Sequence, residues 1–220
     1  MAARTEPAAG REGVGSIHAG ASQIKLTSNE SSGDESEGSF ERDGYAVARG
    51  VFDRLSSDIY TTYALNLRAN ECFRPREDKR GFHDRYADAL TESILLHLKP
   101  ALEQFTGLSL FPTYSYLRLY ETGAVLDRHT DRHACEVSAS LTIGYDAKEP
   151  WPLWLESQGR PRSVALGPGD MLVYRGRDVP HWRERFGGDY WIQAFFHYVD
   201  ADGPLASYKF DGRRAIGAPR

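Results

Sequence analysis

The chain has little with which to cross-link itself and nothing with which to cross a bilayer as a helix. Two cysteines, Cys72 and Cys135, stand in 220 residues, too few for the disulfide framework of a small secreted domain. No apolar run approaches the roughly 20 residues that a membrane-spanning helix needs. Basic residues are scattered, and the formal charge is −4 with a pI near 6.0, so the cationic stripe that docks nucleic acid is missing. These absences predict an intracellular, cytoplasmic protein with neither nucleic acid nor membrane as partner. They leave the oligomeric state undefined. Residues 1–39 contain no Phe, Trp or Tyr and are rich in Ser, Gly, Ala and Glu, so they cannot bury enough apolar surface to offset the entropy of ordering. The apolar core of a secretory signal is absent there, and Glu30, Asp34, Glu35 and Glu37 disfavour an organelle transit peptide. The expected organisation is a disordered tail, 1–39, followed by one domain, 40–220, large enough for a substantial core.

Periodicity then orders that domain. Gly44 to Gly50 reads as a first strand and Phe52 to about Asn70 as an amphipathic helix capped by Asp53. From about Arg85 to Phe105, Ala89, Ile94, Leu95, Leu98, Leu102 and Phe105 recur near the helical period, with Pro100 marking a kink or break. From Phe111 to Tyr198 the pattern changes to short β-runs separated by Gly, Pro and Asp. Helices first and strands after predict an α+β domain whose helices buttress one sheet of a β-sandwich-like barrel.

Within the β-rich part, His129-Thr130-Asp131 and a distant His181 offer two imidazoles and one carboxylate, the ligand set of a non-haem Fe(II) site. On an extended strand, residues two apart share a face, so His129 and Asp131 can reach one ion while Thr130 points away. The aromatic run Tyr114–Tyr120 reads as a strand entering this pair, and Ser138–Gly144 as a strand leaving it. Gly167-Pro-Gly-Asp170 turns the chain into Met171–Tyr174, and the turn Arg175–Asp178 delivers His181.

The segments Leu117-Arg-Leu-Tyr-Glu-Thr-Gly-Ala-Val-Leu-Asp-Arg-His129-Thr-Asp131 and Pro168-Gly-Asp-Met-Leu-Val-Tyr-Arg-Gly-Arg-Asp-Val-Pro-His181-Trp-Arg resemble the 2-oxoglutarate/Fe(II)-dependent oxygenase superfamily, in its prolyl 4-hydroxylase-like branch. The resemblance implies a double-stranded β-helix, or jelly roll. It also implies Fe(II) on His129, Asp131 and His181, 2-oxoglutarate as co-substrate, O2, supportive ascorbate, and oxidation of a C–H bond in a small-molecule or peptide substrate. Three protein ligands leave three octahedral positions for keto acid and O2. A cupin-like metal enzyme or sensor that does not use 2-oxoglutarate is the alternative, although cupins commonly present His-x-His rather than His-x-Asp.

The chain departs from the family at one position. About ten residues past the distal histidine, where the resemblance implies a Lys or Arg for the far carboxylate of 2-oxoglutarate, stands Trp191. Two arginines can replace that cation, Arg183 and Arg118. Arg183 is favoured, because it shares a strand face with His181 and because Trp191, read as lying on the adjacent antiparallel strand, leaves it space. Its alternative is a surface ion pair with Glu184 or Asp189. Tyr120 matches a position whose phenol bonds the co-substrate or packs in the core, and Thr142 is a pocket-lining residue. His133 is expected on a loop or facing substrate, His197 as a core or rim histidine, and Trp182 packed beneath the helices. Cys135 and Glu136 give no zinc site and no disulfide. Specificity is expected in loops Glu71–Asp84 and Tyr145–Gly159, where Trp151 and Trp154 form a lid or fill the barrel wall.

Overall fold

The structure, a computed structural model, describes residues 38–73 and 81–218. The expected tail therefore lies almost wholly outside the described residues, as does half of the expected loop Glu71–Asp84. In chain order the elements are α1 (Phe40–Asp43), β1 (Tyr45–Ala48), α2 (Arg54–Ala69), β2 (Phe82–Tyr86), α3 (Ala89–Thr106), β3 (Leu110–Glu121), β4 (Leu126–His129), β5 (Val137–Asp146), β6 (Leu153–Ser157), β7 (Arg160–Val164), β8 (Met171–Tyr174), β9 (His181–Arg183) and β10 (Tyr190–Asp200). Short 3-10 segments lie at His133–Cys135 and Ala206–Gly212. Two antiparallel sheets, ordered β1-β8-β5-β10-β3-β2 and β4-β9-β6-β7, face each other as the expected jelly roll.

The period of two along each strand decides what lies between the sheets. Leu117 and Leu119 of β3, Ile192, Ala194, Phe196 and Tyr198 of β10, and Val137, Ala139 and Leu141 of β5 join Leu95, Leu98 and Leu102 of α3 in one core on the outer face of the larger sheet. The intervening residues face inward. Register aligns them in rows across the sheet: Asp84, Arg118, Gln193 and Thr142 form one, and Tyr114, His197, Ser138 and Tyr174 another. One sheet thus presents an apolar face to the helices and a polar, aromatic face to the interior.

Local chemistry fixes the helices. Asp53 accepts from the Ser56 amide at 2.7 Å, as the expected cap of α2. The expected start of the second helix near Arg85 is too early. Phe82–Tyr86 alternates buried and half-buried residues as an edge strand on β3, and α3 begins only after Asp88, whose carboxylate accepts from the Leu90 and Thr91 amides. Nor does Pro100 break α3. Its missing N–H frees only the carbonyl of Leu96, a residue 49% exposed on the solvent side of the helix. The segment Tyr145–Gly159, expected as a loop, contains β6. Trp151 fills the wall, buried, while Trp154 stacks on Trp182 at 6.1 Å. Both of those rings belong to the smaller sheet, so Trp182 does not lie beneath the helices, which cover the other one.

Candidate metal centre and anion pocket

His129, the last residue of β4, pairs in register with His181, the first of β9, and the two rings lie 4.3 Å apart. Each ring has its Nδ1 on a nearby main-chain carbonyl: His129 on Asp127 at 2.7 Å, His181 on Val179 at 3.0 Å. A carbonyl only accepts, so both Nδ1 atoms carry hydrogen and both Nε2 lone pairs are left free. Those Nε2 atoms each stand 3.7 Å from the same oxygen, Oδ1 of Asp131. Two ligands each about 2.1 Å from one ion are separated by about 3 Å at a right angle and about 4.2 Å when opposed. The observed spacing lies inside that range and is too long for direct hydrogen bonds. Burial pushes His181 below its usual pKa against the pull of Asp131, which keeps its imidazole neutral, the form that binds metal.

Asp131 is aimed by what surrounds its other oxygen. Oδ2 accepts from Ser138 Oγ at 3.0 Å and from the Tyr174 hydroxyl at 3.5 Å, and the Asp131 amide donates to the Gly176 carbonyl at 2.8 Å. Gly176 is required for room: a Cβ there would stand 2.5 Å from both Asp131 Oδ2 and Ser138 Oγ. Behind this, Ser138 Oγ also lies 3.0 Å from His197 Nδ1, and Cys135 Sγ lies 3.0 Å from the Tyr114 hydroxyl. Asp131, Cys135 and His197 lie close enough to form a second potential ligand group. Their polar atoms are engaged with Ser138 and Tyr114. Burial holds the Cys135 thiol up at about 12 and His197 down at about 4, so both are neutral. Both cysteines are free thiols. His133, exposed in its 3-10 turn, lies edge-on to Tyr208 and lines a cavity of about 370 Å³ with Thr130, Asp131, Arg132 and Arg177.

The two candidate arginines have opposite surroundings. Arg118 is neutralised: its Nε and Nη2 lie 2.5 and 3.3 Å from the two carboxylate oxygens of the buried Asp84, and Nη1 donates to the Tyr120 hydroxyl at 3.4 Å. Burial works to lower its pKa, but Tyr120 and Asp84 raise it. Arg183, 2% exposed, has no carboxylate within ion-pair reach among the described residues. Its guanidinium lies over Trp151 and Trp191 at 4.6 and 5.1 Å, and donates to the Trp151 carbonyl and to Gln193 Oε1, the latter at 3.3 Å. Burial lowers it to about 10. The surface pairing with Glu184 or Asp189 is therefore not found. The expectation that Trp191 lies on a strand adjacent to Arg183 also fails. Trp191 is the second residue of β10, in the larger sheet, and meets Arg183 across the interior. Tyr120 is fully buried, edge-on to Trp151, and Thr142 Oγ1 lies 3.4 Å from Gln193 Oε1.

Sequence reasoning did not single out Asp84, Gly176 or Gln193. Only Gln193 left a signal, as a polar residue at an inward position of a strand whose inward neighbours are Trp191 and Phe195.

No protein-family model matches the chain, and no curated protein matches it by sequence. Solved structures do match. A Pseudomonas putida prolyl-4-hydroxylase is 18% identical with a TM-score of 0.63, over 73% of this chain and 95% of that one. The non-heme alpha-ketoglutarate-dependent epimerase SnoN from nogalamycin biosynthesis is 16% identical with a TM-score of 0.65, over 82% and 88%. HygX from Streptomyces hygroscopicus, with nickel and 2-oxoglutarate bound, is 12% identical with a TM-score of 0.60, over 74% and 85%. The chain has the jelly-roll fold of 2-oxoglutarate/Fe(II) oxygenases, and at these identities the likeness is one of fold.

Proposed function

We propose that the chain is an Fe(II)- and 2-oxoglutarate-dependent dioxygenase, with His129, Asp131 and His181 as metal ligands and Arg183 as partner of the co-substrate's distal carboxylate. The observation that carries the reading is a buried guanidinium with no counter-ion among the described residues, two residues along the strand from a His-Asp-His cluster. Burying a charge without a partner is costly, and an anionic ligand spanning the pocket removes that cost. SnoN, solved with Fe3+ and alpha-ketoglutarate, and HygX, solved with nickel and 2-oxoglutarate, support the same pairing of metal and keto acid.

The chain's own residues supply binding, orientation and dryness. The tautomers fixed by Asp127 and Val179 aim two lone pairs, and Ser138 and Tyr174 hold the carboxylate that completes the set. Arg183 grips the far carboxylate with Tyr120 beside it, and Thr142 acts through Gln193. Arg118, paired with Asp84, lines the pocket. Trp151 and Trp191, backed by Phe186, cover the guanidinium and exclude water. Iron(II) held there would supply the redox chemistry by which dioxygen oxidises first the keto acid and then a substrate C–H bond. The cavity that Asp131 shares with Thr130, Arg132, His133, Arg177 and Tyr208 is the substrate mouth. HygX, solved with hygromycin B bound, and the likeness to a prolyl-4-hydroxylase support a small-molecule or peptide substrate. Residues 40–220 form the catalytic domain, with 1–39 as an appendage. No described helix is long and apolar enough to cross a membrane, and the two free thiols support a cytoplasmic setting.

The test is succinate formation from 2-oxoglutarate with Fe(II), O2 and ascorbate, against free amino acids, peptides and small hydroxylatable metabolites. Iron-dependent succinate is expected. Metal binding without 2-oxoglutarate binding or consumption would favour the cupin-like alternative.

A further inference from the structure

Gln193, with no solvent exposure, occupies the interior row between Arg118 and Thr142. Its Oε1 accepts from Trp191 Nε1 at 2.6 Å, from Arg183 Nη2 at 3.3 Å and from Thr142 Oγ1 at 3.4 Å, and its Nε2 donates to Ser140 Oγ at 2.9 Å. An indole N–H and a guanidinium can only donate, so chemistry fixes which end of the amide faces them. The oxygen points at Arg183, and the nitrogen is committed to Ser140.

We propose that Gln193 is the positioning residue of the anion pocket, a neutral acceptor that aims the Arg183 guanidinium while leaving its charge for the ligand's distal carboxylate. This rests on the reading of Arg183 given above. The same row shows the contrast. At Arg118 the acceptor is a carboxylate, and the two oxygens of Asp84 take up the guanidinium. At Arg183 the acceptors are an amide oxygen and a main-chain carbonyl, which orient without neutralising. Trp191, standing where the oxygenases carry their cation, fits the arrangement. Its N–H locks the amide, and its ring forms one wall beside the guanidinium. A Glu in place of Gln193 would have nearly the same shape but would give Arg183 an internal counter-ion. It would also set a like charge beside the incoming carboxylate.

The experiment uses the full chain loaded with redox-silent Zn(II). Trp151 and Trp191 flank Arg183 and make tryptophan emission a reporter of ligand binding. 2-Oxoglutarate and 2-oxopentanoate, which lacks the distal carboxylate, are titrated into wild type, Gln193→Glu and Gln193→Met. Wild type is expected to prefer 2-oxoglutarate by at least about thirtyfold, the ratio expected for a charge-assisted contact to a buried guanidinium. Gln193→Glu should abolish that preference, weakening 2-oxoglutarate about a hundredfold or more and 2-oxopentanoate little. Gln193→Met, which keeps the cation uncompensated but loosens it, should weaken 2-oxoglutarate about tenfold. A purely structural role would weaken both ligands equally in both variants, and that result would overturn the proposal. So would a folded Gln193→Glu that keeps the wild-type ratio. If Gln193→Glu does not fold, an unchanged ratio in Gln193→Met overturns it by itself. Wild type with no preference between the two acids would instead sink the reading of Arg183.

Discussion

The two interior arginines should respond to the same substitution with opposite signs. Arg183 is fully buried, and burial drags its pKa from 12.5 to about 10, a penalty on the charged form of roughly 3 kcal/mol. Arg183→Met removes that penalty but leaves the Trp151 carbonyl without its donor, which costs about 1–3 kcal/mol. The ligand-free protein should therefore be as stable as wild type or up to about 2 kcal/mol more stable. For a domain of this size that corresponds to a melting temperature unchanged or higher by several degrees, at roughly 2–4 °C per kcal/mol. Arg118→Met withdraws the guanidinium from the buried Asp84 carboxylate and should cost about 3–5 kcal/mol, a fall of roughly 6–20 °C. Ligand binding should divide the other way. Calorimetric titration of 2-oxoglutarate should weaken by about 2–5 kcal/mol in Arg183→Met, roughly thirtyfold to several thousandfold. In the folded fraction of Arg118→Met it should change by less than about threefold. Strong 2-oxoglutarate binding by Arg183→Met, with loss in Arg118→Met, would refute the assignment. A large fall in the melting temperature of Arg183→Met would show that its charge is compensated in the ligand-free protein.

Further expectations follow from the same geometry. Replacing His129, Asp131 or His181 by Ala should remove stoichiometric iron as read by metal analysis, whereas His133→Ala should keep it. Gly176→Ala touches no ligand yet drives a Cβ into Asp131 and Ser138. It should weaken iron about 10- to 100-fold in a chelator competition, and wild-type affinity would dismiss the close approach as important. Burial holds His197 at about 4, among Asp131, Arg132, His181 and Asp211. The unfolded chain thus takes up its proton first, near pH 6.5, and the metal-free protein should lose up to about 3 kcal/mol as pH falls from about 6.5 to about 4, with no change above. Denaturant titrations of His197→Gln should show a shallower slope across that window. A chain beginning at Gly38 should keep the wild-type iron affinity and the rate of 2-oxoglutarate consumption without substrate. A slower rate only with substrate present would assign residues 1–37 to substrate capture.

What was legible in the sequence was what depends on local period and local chemistry. The alternation of β3 and β5, the Asp53 cap and the His129-x-Asp131 spacing all lie within a few residues, and His181 follows a readable turn. Arg85 and Tyr86 were misread because an edge strand running into a capped helix carries apolar residues at intervals that either period accepts. The Arg118–Asp84 pair and the facing of Arg183 by Trp191 depend on which strands become neighbours, a property of topology. Gly176 looked like an ordinary turn residue, since its role is to leave space for a side chain from another loop.

The central claim is tested most directly by adding 2-oxoglutarate anaerobically to the Fe(II)-loaded protein and following the metal-to-ligand charge-transfer band. The account predicts a saturable band at one iron and one keto acid per chain, absent in His181→Ala and shifted to much higher 2-oxoglutarate in Arg183→Met. Iron binding at that stoichiometry with no band at any 2-oxoglutarate concentration would contradict it.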